Sequence, residues 1–366
     1  MIPRTLQDIL VTLLLSLHGI VNAARPLMVC YYTATSYFPV SQVPANVCTH
    51  IIYAFGRVDV EGIQPQSPGD LQNYRTLVQL KKTNPSLKIL LSLQNGFPSV
   101  VGADQGTVKR FSQSAVKFLA DNGFDGVDLD WEYPTASDKN SYKTFIEILR
   151  KEIVGAKMLL SAALPNNPSY FTGYDVNCLS SNMDFMTVMA YDFHLFTKKD
   201  TTTGYNSPLY TPKGESQYLS ASALVTYFLK VGLPSGQLLL GIPLYGRSWT
   251  LAQASSHDLH SPAIGKGSPG PYRHFKGLYL YPDACVALQR GANSVLDATN
   301  GAAYLYANTT WVAYETIDTI KLKVAWMKSV SLGGVGVWAL HLDDNAGVCR
   351  AGLFPLLNAI KSNLGI

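Results

Sequence analysis

Long runs of charge are missing from this sequence. Only 15% of its 366 residues are Asp, Glu, Lys or Arg, and 29 basic against 25 acidic side chains leave a formal net charge of +4. The basic residues are scattered, which removes the stripe a phosphate backbone needs, so nucleic acid is not an expected partner. No Gly-rich phosphate loop follows the first apolar run, which argues against an open dinucleotide-binding sheet. The seven histidines are dispersed, and no Cys, His and carboxylate group has metal-ligand spacing; neither a metal nor another cofactor is expected. No apolar run reaches the roughly 20 residues that span a bilayer, so no membrane anchor is expected. Cysteine is scarce and odd in number at five. In an oxidising compartment most of these would pair, and Cys178, among Val176, Leu179 and Met183, reads as the small buried side chain left over.

What is present begins with a leader. Arg4, the apolar stretch Ile9 to Leu17 and the small residues around Val21-Asn22-Ala23 read as a signal peptide over residues 1–23, with a secreted mature domain over 24–366. Asn308-Thr309-Thr310 is a glycosylation triplet suited to a surface loop. Eight short apolar runs follow in order: Leu27 to Tyr32, Thr49 to Phe55, Lys88 to Leu93, Gly123 to Leu129, Met158 to Leu164, Phe185 to Tyr191, Leu238 to Leu244 and Gly333 to Leu340. Each is too continuous for a half-exposed strand, as expected of parallel strands buried on both faces. Helical periods fall between them, at Leu71 to Lys82, Gly106 to Asn122, Ser141 to Ile153, Ser220 to Val231 and Thr316 to Ser329. The alternation predicts an α/β fold, a closed (β/α)8 TIM barrel. Residues from about 248 to 315 are too many for one crossover. They predict a small inserted subdomain between strands seven and eight, β-rich from its Tyr, Pro and Gly content. After Leu340 only a short helical tail is expected, and no separate binding module.

The chemistry concentrates in Asp125-Gly126-Val127-Asp128-Leu129-Asp130-Trp131-Glu132. Strand alternation turns Asp128, Asp130 and Glu132 to one face and Val127, Leu129 and Trp131 to the other. In a barrel the first face is the interior, and Glu132 then stands at the carboxyl end of strand four, where barrel enzymes hold their catalytic groups. A solvated acidic turn would not interleave with Val, Leu and Trp. Stacked carboxyls repel, so at least one of Asp128 and Asp130 is expected to keep a proton near neutral pH.

This stretch resembles the Asp-x-x-Asp-x-Asp-x-Glu signature of glycoside hydrolase family 18, the chitinases and chitinase-like lectins. The likeness extends to Cys48-Thr49-His50-Ile51-Ile52-Tyr53-Ala54-Phe55, Met189-Ala190-Tyr191-Asp192-Phe193-His194, Asn206-Ser207-Pro208-Leu209-Tyr210, Tyr245-Gly246-Arg247 and Gly333-Gly334-Val335-Gly336-Val337-Trp338-Ala339. It is strongest to the animal branch, in which the insertion is an α+β unit that deepens the cleft. The resemblance implies disulfides Cys30 with Cys48 and Cys285 with Cys349. It implies a secreted, monomeric chitinase acting on chitin or N-acetylglucosamine oligosaccharides with retention of configuration. Glu132 would be acid and base, Asp130 and Asp128 would steady the reacting acetamido group, and Tyr191 and Asp192 would hold it. Tyr245 and Arg247 would contact hydroxyls and a carbonyl, and Trp338 would floor the distorted sugar. Tyr31, Phe55, Trp131, Met189 and Asp283 complete the implied substrate-binding set.

The chain departs from the family pattern around the outer cleft. Ala34-Thr35 stands for an Asn-Trp pair, Gln94-Asn95-Gly96 for Gly-Gly-Trp, the segment near Leu195-Phe196-Thr197 for a Trp, and Asp283 for a Glu. Phe97, Phe196 or Tyr37 are candidates to replace the lost platforms. An intact acid with fewer platforms leaves a second reading, a chitin-binding lectin or matrix protein with little turnover.

Overall fold

The computed structural model describes residues 25–366, so the expected signal peptide lies outside the described residues. Eight strands form the barrel: β1 (Leu27–Tyr32), β2 (His50–Asp59), β3 (Lys88–Asn95), β4 (Gly126–Leu129), β5 (Leu159–Leu164), β6 (Phe185–Val188), β7 (Leu238–Pro243) and β8 (Gly334–Trp338). All neighbours are parallel, and β1 pairs with both β2 and β8, which closes the sheet. The short strand Gly62–Pro65 folds back antiparallel on β2. The expected TIM barrel is therefore the observed fold, and the runs legible as strands are those buried on both faces.

Helices cover the outside where their periodicity placed them, among them Gln105–Asp121, Lys139–Gly155, Ala221–Lys230 and Ile317–Ser329. Asp104, Ser220 and Thr316 begin three of them by accepting from backbone N–H groups of Thr107, Ala223 and Thr319. Such caps satisfy donors that the first helical turn leaves unpaired. The described chain closes on a helix over Pro355–Leu364.

The insertion begins slightly earlier than the sequence spacing indicates, because the chain leaves β7 directly into a strand over Tyr245–Leu251. That strand is the centre of a separate antiparallel sheet with Ala263–Lys266, Leu278–Leu280, Asn293–Asp297, Ala302–Ala307 and Thr310–Tyr314, and a helix over Tyr281–Gln289 completes an α+β unit. Trp249, Trp311 and Tyr304 fill its core. Tyr245 and Arg247 therefore belong to the inserted sheet rather than to the end of strand seven. Asn308 lies exposed at the turn between the last two strands with φ 50°, a conformation asparagine tolerates.

Two disulfides tie the fold as the resemblance implied. Cys30–Cys48 joins β1 to the entry of β2, and Cys285–Cys349 joins the insertion's helix to the segment after β8. Cys178 is free and buried. Among the described residues no helix is long and apolar enough to cross a membrane.

Two half-buried imidazoles give the fold an acid-sensitive component. Burial pushes His341 down to about 4 from its usual 6.5, and burial aided by Lys88 does the same at His50. A folded-state value below the unfolded one means that the neutral ring stabilises the fold above pH 6.5 and that this contribution is lost as pH falls through about 4. Each ring accounts for at most about 3 kcal/mol. Buried carboxyls such as Asp343, pushed up to about 7 by burial, act with the opposite sign across that window. The informative quantity is therefore a difference. Urea unfolding of the His50→Gln/His341→Gln variant should lose less stability than the wild type between pH 6.5 and 4; parallel curves would contradict this assignment.

Candidate active site

The acids of β4 stand in a column, as alternation requires. Asp128 is fully buried and accepts from Ser161 Oγ (2.7 Å), Ser92 Oγ (2.8 Å) and Tyr31 Oη (3.2 Å), one donor each from β5, β3 and β1. Asp130 lies just past the end of β4, 4% exposed, and its Oδ1 has no hydrogen-bond partner. Glu132 follows, exposed at the mouth, with Gln94 Nε2 at 3.4 Å from its Oε1. Burial raises the carboxyls of both aspartates. Asp128 is partly relieved by its three hydroxyl donors, while Asp130 is pushed well above the usual range by burial and then by the charges of Glu132 and Asp128. Both shifts run in the direction of a proton retained near neutrality.

Across the mouth, residues from the segment after β6 and from the inserted sheet form a second polar group. Arg247 grips Asp192 with two bonds, Nε to Oδ1 at 2.7 Å and Nη2 to Oδ2 at 2.8 Å, and Tyr245 Oη donates to Oδ1 at 2.8 Å. Asp192 holds φ 60°, and Asn206 Oδ1 accepts from its backbone N–H at 3.1 Å. Asn206 Nδ2 in turn donates to the Tyr245 carbonyl. The Asn206-Ser207 segment thus clips the barrel to the insertion beneath the cleft.

One cavity of about 360 Å³ gathers most of the expected residues: Tyr31, Phe55, Asp130, Glu132, Met189, Tyr191, Asp192, Tyr245, Arg247 and Trp338 all line it. Trp338 forms part of its apolar wall, stacked on Phe55 with centroids 5.8 Å apart and tilted on Tyr31 at 5.5 Å. The wall supplies an aromatic surface, and the opposite side supplies carboxylates and hydroxyls.

Three expected site residues lie elsewhere. Asp128 is fully buried beneath the cavity and does not line it; its Tyr31 partner does. Trp131 points out of the barrel, as its place in the alternation requires, and stacks on Phe97 at 5.3 Å and edge-on to Tyr142; it packs a helix and does not face the cavity. Asp283 is fully buried inside the insertion, where Oδ1 accepts from the backbone of Tyr272 and Arg273 and Oδ2 from that of Leu280. Its carboxylate is committed to those turns and does not reach the cavity.

The candidate replacement platforms also resolve. Phe97 is fully buried under Trp131. At the preceding position Gly96 holds φ 92°, and a Cβ there would lie 1.9 Å from the Val58 carbonyl oxygen, so no tryptophan fits this backbone. Phe196 lines a separate groove beside Arg247. Tyr37 is covered by the Arg273 guanidinium at 4.3 Å. Sequence reading missed Gln94, Tyr133, Asn166 and His341, all of which line the cavity. Strand parity could have found Gln94, because it shares the inward face with Ser92.

Fold and cleft together define a class, a (β/α)8 barrel with a carboxylate-lined cleft at the carboxyl ends of its strands. Comparison with known proteins makes the family specific. The family model for glycosyl hydrolases family 18 matches residues 27–343, and the chain belongs to that family. Mouse (Mus musculus) Chitotriosidase-1 is 36% identical over 370 residues, covering 93% of this chain and 78% of that protein. Human (Homo sapiens) Chitinase-3-like protein 2 is 31% identical over 363 residues, covering 92% of each. A solved structure of human YKL-39, described as a pseudo-chitinase with retained chitooligosaccharide binding properties, matches with a TM-score of 0.87 at 28% identity, covering 93% of this chain and 100% of that one. Active and inactive proteins therefore both stand among its relatives.

Proposed function

We propose that this chain is a secreted chitinase that hydrolyses β-1,4-linked N-acetylglucosamine chains with retention of configuration, Glu132 acting as acid and then base. The observation that carries the reading is the column Asp128–Asp130–Glu132, with an unpartnered, buried Asp130 oxygen beside an exposed glutamate at the mouth of the cleft. A buried polar atom without a partner is costly unless a ligand satisfies it. An acetamido N–H from the substrate supplies the donor that Asp130 lacks. The substrate's own carbonyl oxygen then attacks the anomeric carbon as Glu132 protonates the leaving oxygen, giving an oxazolinium ion that water opens. The carboxyls of Asp130 and Asp128, sharing negative charge below the sugar, stabilise the positive charge of that ion. Tyr191, near Tyr245 at 6.2 Å between ring centroids, closes the polar side of the pocket. Paired disulfides favour an oxidising location, in keeping with secretion.

The same reading assigns Trp338 as the floor for the reacting sugar. Trp338→Ala should weaken binding of an N-acetylglucosamine tetramer by about 2 kcal/mol, roughly thirtyfold, in calorimetry. Trp338→Phe should keep most of the affinity. An unchanged Kd in the alanine variant would remove the ring from the binding surface.

A second reading has its own observation. Phe97 is buried and Tyr37 is covered, so neither serves as one of the free aromatic platforms that grip a long chain. A binding protein with little turnover would be built this way. Turnover measured on oligomers of increasing length separates the two: product from wild-type protein that rises with length supports hydrolysis, and binding without product supports the lectin.

A further inference from the structure

Gln94 is a cleft side chain to which the proposed reaction gives no role. It lies on β3, two positions after Ser92, and strand alternation turns both inward. Ser92 Oγ donates to Asp128 at 2.8 Å, and Gln94 Nε2 donates to Glu132 Oε1 at 3.4 Å. Strand β3 therefore supplies one donor to the lowest acid of the column and one to the highest. The contexts differ. The Ser92 bond is buried, whereas the Gln94 bond lies at the open end, where Glu132 is exposed.

An exposed glutamate keeps several rotamers, and fixing one costs up to about 2 kcal/mol of side-chain entropy. Proton transfer to a bridging oxygen needs the carboxyl within hydrogen-bond reach of one point in space. A carboxamide bonded to Oε1 holds that oxygen and leaves Oε2 free to meet the substrate. Gly96 makes the arrangement durable: its left-handed turn fixes the end of β3 and the next residue, Phe97, is buried in the core, so the backbone carrying Gln94 is anchored just beyond it.

We propose that Gln94 is a positioning residue, its carboxamide fixing the Glu132 carboxyl so that the second oxygen faces the bond to be cleaved. The inference rests on Glu132 being the catalytic acid. The competing role is bulk alone, a polar side chain that merely narrows the cleft. Methionine separates the two, because it has nearly the same length and volume without an N–H donor.

The test has two arms. In steady-state hydrolysis of an N-acetylglucosamine tetramer, Gln94→Met should lower kcat about tenfold and leave KM within about twofold, the pattern of an interaction needed in the transition state. An unchanged kcat, or a change confined to KM, would overturn the proposal in favour of bulk. The second arm needs no turnover. The Gln94 side-chain amide signals in 15N–1H spectra should move with pH in the wild type, and most of that movement should vanish in Glu132→Gln. The other ionisable neighbours of Glu132, Asp130 and Tyr133, are retained in that variant. Amide signals that do not move, or move equally in both proteins, would overturn the contact. A wild type that binds the tetramer but releases no product overturns the proposed reaction instead, and the amide signals then still decide whether Gln94 holds Glu132.

Discussion

Glu132→Gln should lower kcat on N-acetylglucosamine oligomers by about 10²–10⁴-fold, the usual span for loss of a general acid. Binding of the same oligomers should stay within a few-fold of the wild type. Glutamine keeps the volume and one acceptor oxygen, so the Gln94 contact and the shape of the mouth survive. Only the transferable proton is removed. The change therefore removes an interaction made in the transition state and not in the ground state, which lowers kcat without raising KM. Single-turnover hydrolysis and calorimetry on one preparation provide both numbers. A variant that loses binding and turnover together would show that Glu132 holds the sugar rather than protonating it.

The second large effect lies below the cleft. Lys323 is fully buried on the helix Ile317–Ser329, pairs with Glu315, which is 5% exposed, and donates to both the carbonyl and the hydroxyl of Ser207. Thr319 Oγ1 gives Glu315 a second donor at 2.6 Å. Burial alone pushes the Lys323 ammonium down, and the Glu315 carboxylate opposes that shift. Lys323→Met leaves a buried carboxylate without its counter-charge, and should cost about 3–5 kcal/mol in urea unfolding. Glu315→Leu combined with Lys323→Met should recover most of that loss, because two apolar side chains replace the pair without a stranded charge. Ser207 adjoins Asn206, which positions Asp192 and Tyr245. The single variant should therefore also raise KM for oligomers. Equal destabilisation in the single and double variants would show that the helix needs the lysine for another reason.

These two residues mark where the sequence was and was not readable. Glu132 was legible because strand alternation and apolar neighbours fix its face and height in the barrel without reference to any distant residue. The eight strands were legible for the same reason, since burial on both faces leaves an unbroken apolar run. Nothing in its local sequence separates Lys323 from its helical neighbours Lys321 and Lys328. Its burial depends on Glu315 and Ser207, which approach only when the last crossover docks under the clip between β6 and the insertion. Trp131 shows the limit in reverse. Its alternation correctly predicted an outward face, but the family resemblance assigned it to substrate, and the structure follows the alternation. Asp283 was placed in the cleft by analogy with a longer side chain, whereas its short carboxylate meets three backbone N–H groups first. Gln94 carried a signal in strand parity that went unused because its neighbours were read as a lost platform.

The most direct measurement is the anomeric form of the first product. Proton NMR recorded within seconds to minutes of adding wild-type protein to an N-acetylglucosamine tetramer should show the β-anomer of the new reducing end before mutarotation, as retention through an oxazolinium ion requires. An initial α-anomer would contradict the substrate-assisted mechanism, and tetramer that is bound but never cleaved would contradict hydrolysis itself.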